Sequence, residues 1–377
     1  MKICIASDSF KGSSTSQQAG EQMARGIRRV FPDASIKIIP IGDGGEGTVE
    51  AVIMQMGGSM REITAAGPLG EPVKASYGIA GSTAVIEMAA ASGLTLVPEE
   101  KRNPLITTTY GTGEMILDAV RQGCTRILVA IGGSATNDGG VGMAQALGYS
   151  FTGSKGNEIG YGGGSLDQIE SIDASIAADL SGVEIEIMCD VSNPLCGPKG
   201  ASAVYGPQKG ATEEMARQLD ANLNHLARKT EEFLGIDCAE IPGSGAAGGL
   251  GFGLTAFAGG TLRSGIEAVL EAISFSGEIK DMDLLITGEG KMDGQSIFGK
   301  APVGAAQAAK RLHIPVIAIA GSIGEGIEAV YDHGIDSVMS IVNRPMSLTE
   351  AFAESSELLA DAAERAMRMI RIGMGLH

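Results

Sequence analysis

Glycine-rich loops bearing Asp, Asn, Ser or Lys recur along this chain and are its most chemically loaded segments. They include Ser7-Asp8-Ser9-Phe10-Lys11-Gly12, Gly42-Asp43-Gly44-Gly45-Glu46-Gly47-Thr48, Gly132-Gly133-Ser134-Ala135-Thr136-Asn137-Asp138-Gly139-Gly140 and Gly288-Glu289-Gly290-Lys291-Met292-Asp293-Gly294-Gln295. Glycine lets backbone amides approach an anion closely, and a helix N-terminus adds a favourable field of ~0.3–1 kcal/mol. Phosphate is the ligand these loops suit best. The net charge of −17 opposes an anionic nucleotide at long range, so local cations must compensate. Lys11, Lys199, Lys209, Lys291 and Lys300 each stand beside a glycine and fit that need. Asp43, Asp138, Asp190 and Asp293 lie in or next to such loops. Phosphoryl transfer needs oxygen ligands for magnesium and an acid to orient or deprotonate the accepting hydroxyl. The same residue types also cap helices and shape turns with no chemistry attached.

Other chemistries lose ground on composition. The four histidines are His225, His313, His333 and His377, and none falls in a glycine-rich loop, which disfavours Ser–His–Asp hydrolysis and zinc catalysis. The strict P-loop pattern is absent, since Gly290-Lys291 precedes Met292 and Gly299-Lys300 precedes Ala301. Gly42-x-Gly44-x-x-Gly47 and Gly243-x-Gly245-x-x-Gly248 match the dinucleotide fingerprint, but with 56 glycines in 377 residues chance matches are expected. An acidic chain with 4% aromatic residues and no Trp is a poor nucleic-acid binder and a poor match for anionic membrane. The five cysteines are scattered without C-x-x-C spacing, as expected of reduced thiols in a cytoplasmic protein. No signal peptide is evident in Met1-Lys2-Ile3-Cys4-Ile5-Ala6-Ser7-Asp8. The uncharged stretch from Ile241 to Leu262 is too rich in glycine to favour lipid and reads as a buried segment.

The elements that must hold these loops follow one pattern: a short apolar run, the loop, then a helical period. Ile3–Ala6, Ile36–Ile41, Ile127–Ile131, Leu284–Thr287, Val316–Ala320 and Ser337–Val342 are the runs. Continuous apolar strands alternating with helices indicate a parallel sheet covered on both faces, with the ligand crevice beyond the strands' carboxyl ends. Ala19, Met23, Ile27, Val30 and Phe31 share one helical face, Ser347–Glu350 forms a capping box opening an amphipathic run to about Ile370, and Thr212 starts a helix that stops at Gly235. Ile63–Met88 reads as β-hairpin material. The expected fold is α/β: a doubly wound, mainly parallel six-stranded Rossmann-like domain from residues 1–62, 98–140 and 278–377. A second α/β domain is inserted as residues 63–97 and 141–277.

These loops resemble the bacterial type I glycerate kinase family. So do Cys189-Asp190-Val191-Ser192-Asn193-Pro194-Leu195, Tyr205-Gly206-Pro207-Gln208-Lys209-Gly210-Ala211, Gly243-Ser244-Gly245-Ala246-Ala247-Gly248-Gly249 and Thr287-Gly288-Glu289-Gly290-Lys291-Met292-Asp293-Gly294-Gln295. The resemblance covers essentially the whole chain. It departs at Asn343-Arg344-Pro345-Met346, where a turn containing proline and glycine is expected. It implies ATP-dependent phosphorylation of D-glycerate with Mg2+, generally on the 2-hydroxyl though the 3-hydroxyl is an alternative, and two dissimilar α/β domains with an inter-domain cleft. On that footing Asp190 is expected to act as base, with Lys11 beside it in catalysis. Asp43 and Asp293 are expected to hold magnesium. Gly132, Gly133, Ser134, Asn137, Asp138, Gly288, Glu289 and Lys291 are expected to bind the nucleotide. Asp8, Asn193, Lys209 and Ser244 are expected to bind glycerate. No nucleic-acid or membrane partner is expected, and a homodimer stays open. The rivals are an NAD-dependent hydroxy-acid dehydrogenase, which lacks a histidine for its acid–base step, and a non-catalytic small-molecule sensor, which has no use for acids at several strand ends.

Overall fold

The computed structural model describes residues 1–42 and 48–375. In chain order the strands are β1 (Lys2–Ser7), β2 (Ser35–Ile38), β3 (Ser59–Ala66), β4 (Pro72–Ala80), β5 (Thr83–Glu87), β6 (Arg126–Ala130), β7 (Ser150–Thr152), β8 (Ser171–Asp173), β9 (Glu184–Met188), β10 (Thr261–Arg263), β11 (Leu284–Met292), β12 (Val316–Ile323) and β13 (Ser337–Ser340). They divide between two compact units. Among the described residues the first holds 1–42, 50–56 and 266–375, and the second holds 48–49 and 57–265.

The first unit is built on a five-stranded parallel sheet in the order β13-β12-β11-β1-β2. Its central strands are buried over Ile3–Ser7 of β1 and Leu284–Glu289 of β11, where their apolar runs lie. The helix Ser16–Arg28 starts at a capping box between Thr15 and Gln18 and buries Ala19, Met23 and Ile27. It packs closely on the helix Ser355–Gly373: a Cβ on Gly26 would lie 1.9 Å from the carbonyl oxygen of Ala360. The run read as one helix from Ser347 is two, Leu348–Ala353 and Ser355–Gly373, parted at Glu354.

The second unit carries a six-stranded mixed sheet, β10-β9-β6-β5-β4-β3. β3, β4 and β5 are antiparallel, and Ala80 pairs with Thr83 across the two-residue turn Gly81-Ser82, with Gly81 at φ +58°. β5, β6, β9 and β10 are parallel. Buried Glu186 on β9 ties this region together, accepting from Arg126 at 2.6 Å and Arg263 at 2.5 Å. The long helix Glu213–Leu234 is capped by Thr212 and closed by Gly235 at φ +73°, as its sequence signals. The glycine-rich segment spans Ala246–Ala258, with left-handed backbone at Ala247, Gly248 and Gly249 ahead of its helical part, and is mostly buried in this unit's core. No described helix is long and apolar enough to cross a membrane.

Two expectations need correction. The first unit's sheet has five strands, not six, and residues 98–140 lie in the second unit. The cause is β6, which pairs with β5 and β9 through Ile86↔Val129 and Val129↔Ile187. A buried parallel strand followed by a glycine loop looks the same in either sheet, so its apolar run does not encode its neighbours.

Candidate active site

In the first unit, the chain leaves β1 toward β2 on one side, while β11 leads to β12 and β13 on the other. That reversal is a topological switch point, where ligands bind beyond the carboxyl ends of the strands. A cleft of about 530 Å³ lies there, lined by the loop after β1, the carboxyl-terminal parts of β11 and β12, Lys300, and the chain that follows β13. Asp8, Lys11, Glu289, Lys291 and Lys300 form its charged side.

The loop after β1 is held at its base. The Asp8 amide donates to the Gly288 carbonyl at 2.8 Å, its carboxylate accepts from the Ser9 amide at 2.6 Å, and the Ser14 amide closes a turn onto the Phe10 carbonyl at 3.0 Å. Phe10 is buried beneath, and exposed Lys11 has no side-chain hydrogen bond or ion pair among the described residues. The other cations are engaged. Lys300 pairs with Glu289 at 3.1 Å, and Glu289 also accepts from Ser296 at 3.0 Å. Lys291 pairs with Asp293 at 2.8 Å, a bond that holds the ammonium above its ordinary pKa and the carboxyl below. Asp293 further accepts from the Gln295 amide at 3.0 Å and caps the short helical turn Gly294–Ile297. Asp293 does not itself line the cleft, and nor does Gly288, where a Cβ would lie 2.0 Å from the Ile319 carbonyl on β12. Glycine there serves strand packing. Asp43 lies outside the described residues.

In the second unit, the loop after β6 is pinned from beneath. Asp138 is buried and accepts from the Thr109 amide (2.8 Å), the Thr109 hydroxyl (2.9 Å) and the amides of Gly140 (3.2 Å) and Gly142 (3.3 Å). Burial raises its pKa, and these donors oppose the rise. Lys209, 1% exposed, donates to the Thr136 carbonyl at 2.6 Å. Burial lowers its pKa to about 7, with nearby Asp138 acting in the opposite sense. Asn137 is buried with its amide nitrogen on Ser202 at 3.0 Å. Ser244 is buried on the Ala239 carbonyl at 2.5 Å. Asp138, Lys209 and Ser244 are therefore buried braces of this unit, while Asn137 Oδ1 is buried without a hydrogen-bond partner among the described residues. Ser134 is also buried, whereas Gly132 and Gly133 are exposed at the loop's start.

The loop after β9 presents exposed Asp190, whose Oδ1 accepts from the Gly265 amide at 3.0 Å and the Ser264 hydroxyl at 3.3 Å. Asn193 is held on both sides, donating to the Lys199 carbonyl at 2.8 Å and accepting from the Tyr205 hydroxyl at 2.7 Å. The second glycine fingerprint has a packing explanation. A Cβ on Gly245 would meet the Pro194 carbonyl at 2.1 Å, and one on Gly248 the Thr136 carbonyl at 1.9 Å. The first fingerprint falls largely outside the described residues.

Sequence reasoning missed the cleft's apolar lining, which includes Ile341, Val342, Met346, Leu348, Ala351 and Phe352. Leu348 and Phe352, exposed in the first turns after the Ser347 capping box, fit the amphipathic period of a core helix, so the letters carried no signal of it.

The description "Glycerate kinase family" matches residues 3–371. A glycerate kinase of Halalkalibacterium halodurans is 52% identical over 364 residues, covering 96% of each chain. The glycerate 2-kinase of Escherichia coli (strain K12) is 50% identical over 377 residues, covering 99% of each. A crystal structure from Salmonella typhimurium LT2, assigned as glycerate kinase 2, superposes with a TM-score of 0.90 at 46% identity, covering 100% of both chains. With so long a match and the two-unit α/β fold behind it, the chain belongs to the glycerate kinase family and is an enzyme of that family.

Proposed function

We propose that the enzyme transfers the γ-phosphoryl group of ATP to the 2-hydroxyl of D-glycerate, giving 2-phosphoglycerate and ADP. The observation that carries this reading is the first-unit cleft at the β1/β11 switch point, whose lining combines three lysines with a stretch of apolar side chains. A nucleotide has that same division between phosphates and base. The 2-hydroxyl assignment is supported by the name of the E. coli relative.

Among the described residues Lys11 has no competing side-chain partner, so it is assigned to the transferring phosphoryl group. Lys291 and Lys300 raise the local potential against the overall negative charge. Glu289 keeps Lys300 in place. Asp190 is assigned as the base. Its Oδ1 is anchored on Gly265, which orients the carboxylate on an exposed loop. It would take the glycerate hydroxyl proton as the oxygen attacks phosphorus and ADP leaves.

Magnesium fits only part of the expected ligand set. Among the described residues no cluster of three or more His, Cys, Asp or Glu could hold it, but kinases commonly bind it through one or two carboxylates plus substrate phosphates. Asp8 lines the cleft and suits that role, while Asp293 is bound to Lys291. When bound, the ion would neutralise charge on the transferring phosphates. The reading places the enzyme in the cytoplasm, where its five unpaired cysteines stay reduced.

Phosphorus NMR on D-glycerate incubated with MgATP and the protein tests class and regiochemistry together. A product phosphorus split by the single C2 proton is the expected result. Splitting by two protons would assign the 3-hydroxyl, and no phosphate ester from any hydroxy acid would overturn the kinase reading. Asp190→Asn should lower kcat by ~10²–10⁴-fold with the KM for ATP little changed; undiminished turnover would remove Asp190 as base.

A further inference from the structure

The first-unit cleft has two chemically distinct linings, and only one of them is explained by phosphate. Besides the lysines, the chain from the end of β13 into the helix Leu348–Ala353 contributes apolar side chains to the cavity. Leu348 is 68% exposed, Phe352 42% and Val342 38%. Large apolar side chains lining a concave surface and left open to water mark a place where something else covers them. Polar side chains nearby are already satisfied. Ser347 and Glu350 bond one another at 2.7 Å in the capping box, and the Ser340 hydroxyl takes the Val342 amide at 3.1 Å. The wall therefore offers contact area rather than hydrogen bonds.

Resting on the kinase reading, we propose that this wall, centred on Val342, Leu348 and Phe352, is the seat of the nucleotide's base. Glycerate, three carbons carrying a carboxylate and two hydroxyls, has too little apolar surface to cover it. A purine has two flat faces and a polar rim. Phe352 also ties the wall to the phosphate side. A Cβ built on Gly12, whose φ is +83°, would lie 3.1 Å from the Phe352 ring, so the ring rests on the backbone immediately after Lys11. A base on the wall thus puts its own phosphates within the reach of the lysine loop.

The absence of tryptophan from the chain gives a clean test. Phe352→Trp makes a protein with a single indole on the wall. ADP and adenosine are expected to change its emission saturably, whereas tripolyphosphate and D-glycerate leave it unaltered. In parallel, calorimetry measures ADP binding to the unmodified protein. If ADP binds there and the indole stays silent, the kinase reading stands and the wall assignment falls. If glycerate moves the emission instead, the wall belongs to the acceptor and the assignment falls. If ADP does not bind at all and no phosphoryl transfer is found, both fall. Leu348→Ala, at a position exposed enough to leave folding intact, should raise the KM for ATP by about 3- to 10-fold with the KM for glycerate unchanged. A rise confined to glycerate would overturn the proposal.

Discussion

Lys209 is the residue where type and environment diverge most. Its ammonium is sealed under the loop after β6, donating to the Thr136 carbonyl, and burial draws its pKa down to about 7. In the unfolded chain the lysine keeps its ordinary value near 10.4. Between those two values the unfolded state binds more protons than the folded one, so this residue makes stability rise with pH across that window. Below about pH 7 the contribution levels off, because both states are protonated. The slope approaches ~1.4 kcal/mol per pH unit for one proton. Asp138 lies near this ammonium, and its raised pKa works in the opposite sense, with stability falling as pH climbs past its unfolded value. Lys209→Met keeps the stem and deletes the charge. Chemical denaturation of both proteins from about pH 7.5 to 9.5 should show the difference between them shifting by up to ~1.4 kcal/mol per unit in favour of the parent. Parallel curves would mean that Lys209 keeps a normal pKa and is less enclosed than the structure has it.

At the scale of elements, the loop 132–140 and the glycine segment beyond Ser244 are fitted backbone to backbone. The Gly139 amide donates to the Gly248 carbonyl at 3.0 Å, and Gly248 has φ +69° with the Thr136 carbonyl where a Cβ would go. Gly248→Ala therefore combines left-handed strain with a clash that only loop movement can relieve. Gly57 gives the control, since it has the same φ of +69° with nothing within 4 Å. Gly57→Ala should cost ~1–2 kcal/mol from strain alone, and Gly248→Ala at least ~2 kcal/mol more in thermal or denaturant unfolding; equal costs would show that the two loops are not in contact. The comparison also explains what the sequence could and could not convey. Strand positions, the hairpin at Gly81-Ser82, and the caps at Thr212 and Ser347 were legible because each rests on local periodicity or a local hydrogen bond. Glycines that face anions and glycines that face carbonyls look alike in a string of letters. Buried polar residues are equally silent: Asp138, Lys209 and the Asn137 amide nitrogen carry the chemistry of a ligand site yet face inward, with partners on Thr109, Thr136 and Ser202. The apolar wall was hidden because its side chains fit an amphipathic period, and only the break at Glu354 turns them away from the core.

The whole molecule sets a field that its site must work against. A net charge of −17 repels ATP at distances beyond a few contacts, whereas Lys11, Lys291 and Lys300 attract it only once it has entered the cleft. Salt separates the two influences by range. The screening length is ~30 Å at 0.01 M and ~10 Å at 0.1 M, so moderate salt removes most of the long-range repulsion while contacts of a few ångströms inside a partly enclosed cleft persist. kcat/KM for ATP is therefore expected to rise as ionic strength goes from about 0.01 to 0.1 M at constant free magnesium, the reverse of an enzyme that steers its anionic substrate with a basic surface. Glycerate carries less charge and should respond much less over the same range, which separates a field effect from a general effect of salt on the fold. Above about 0.3 M the lysine–phosphate contacts themselves weaken and the trend should turn over. In Lys11→Met that final decline should be shallower, since one of those contacts is gone. A kcat/KM that falls steadily from the lowest salt would show that the lysines around β1 and β11 govern approach as well as binding, and that acidity distributed over the surface has no bearing on how the nucleotide arrives.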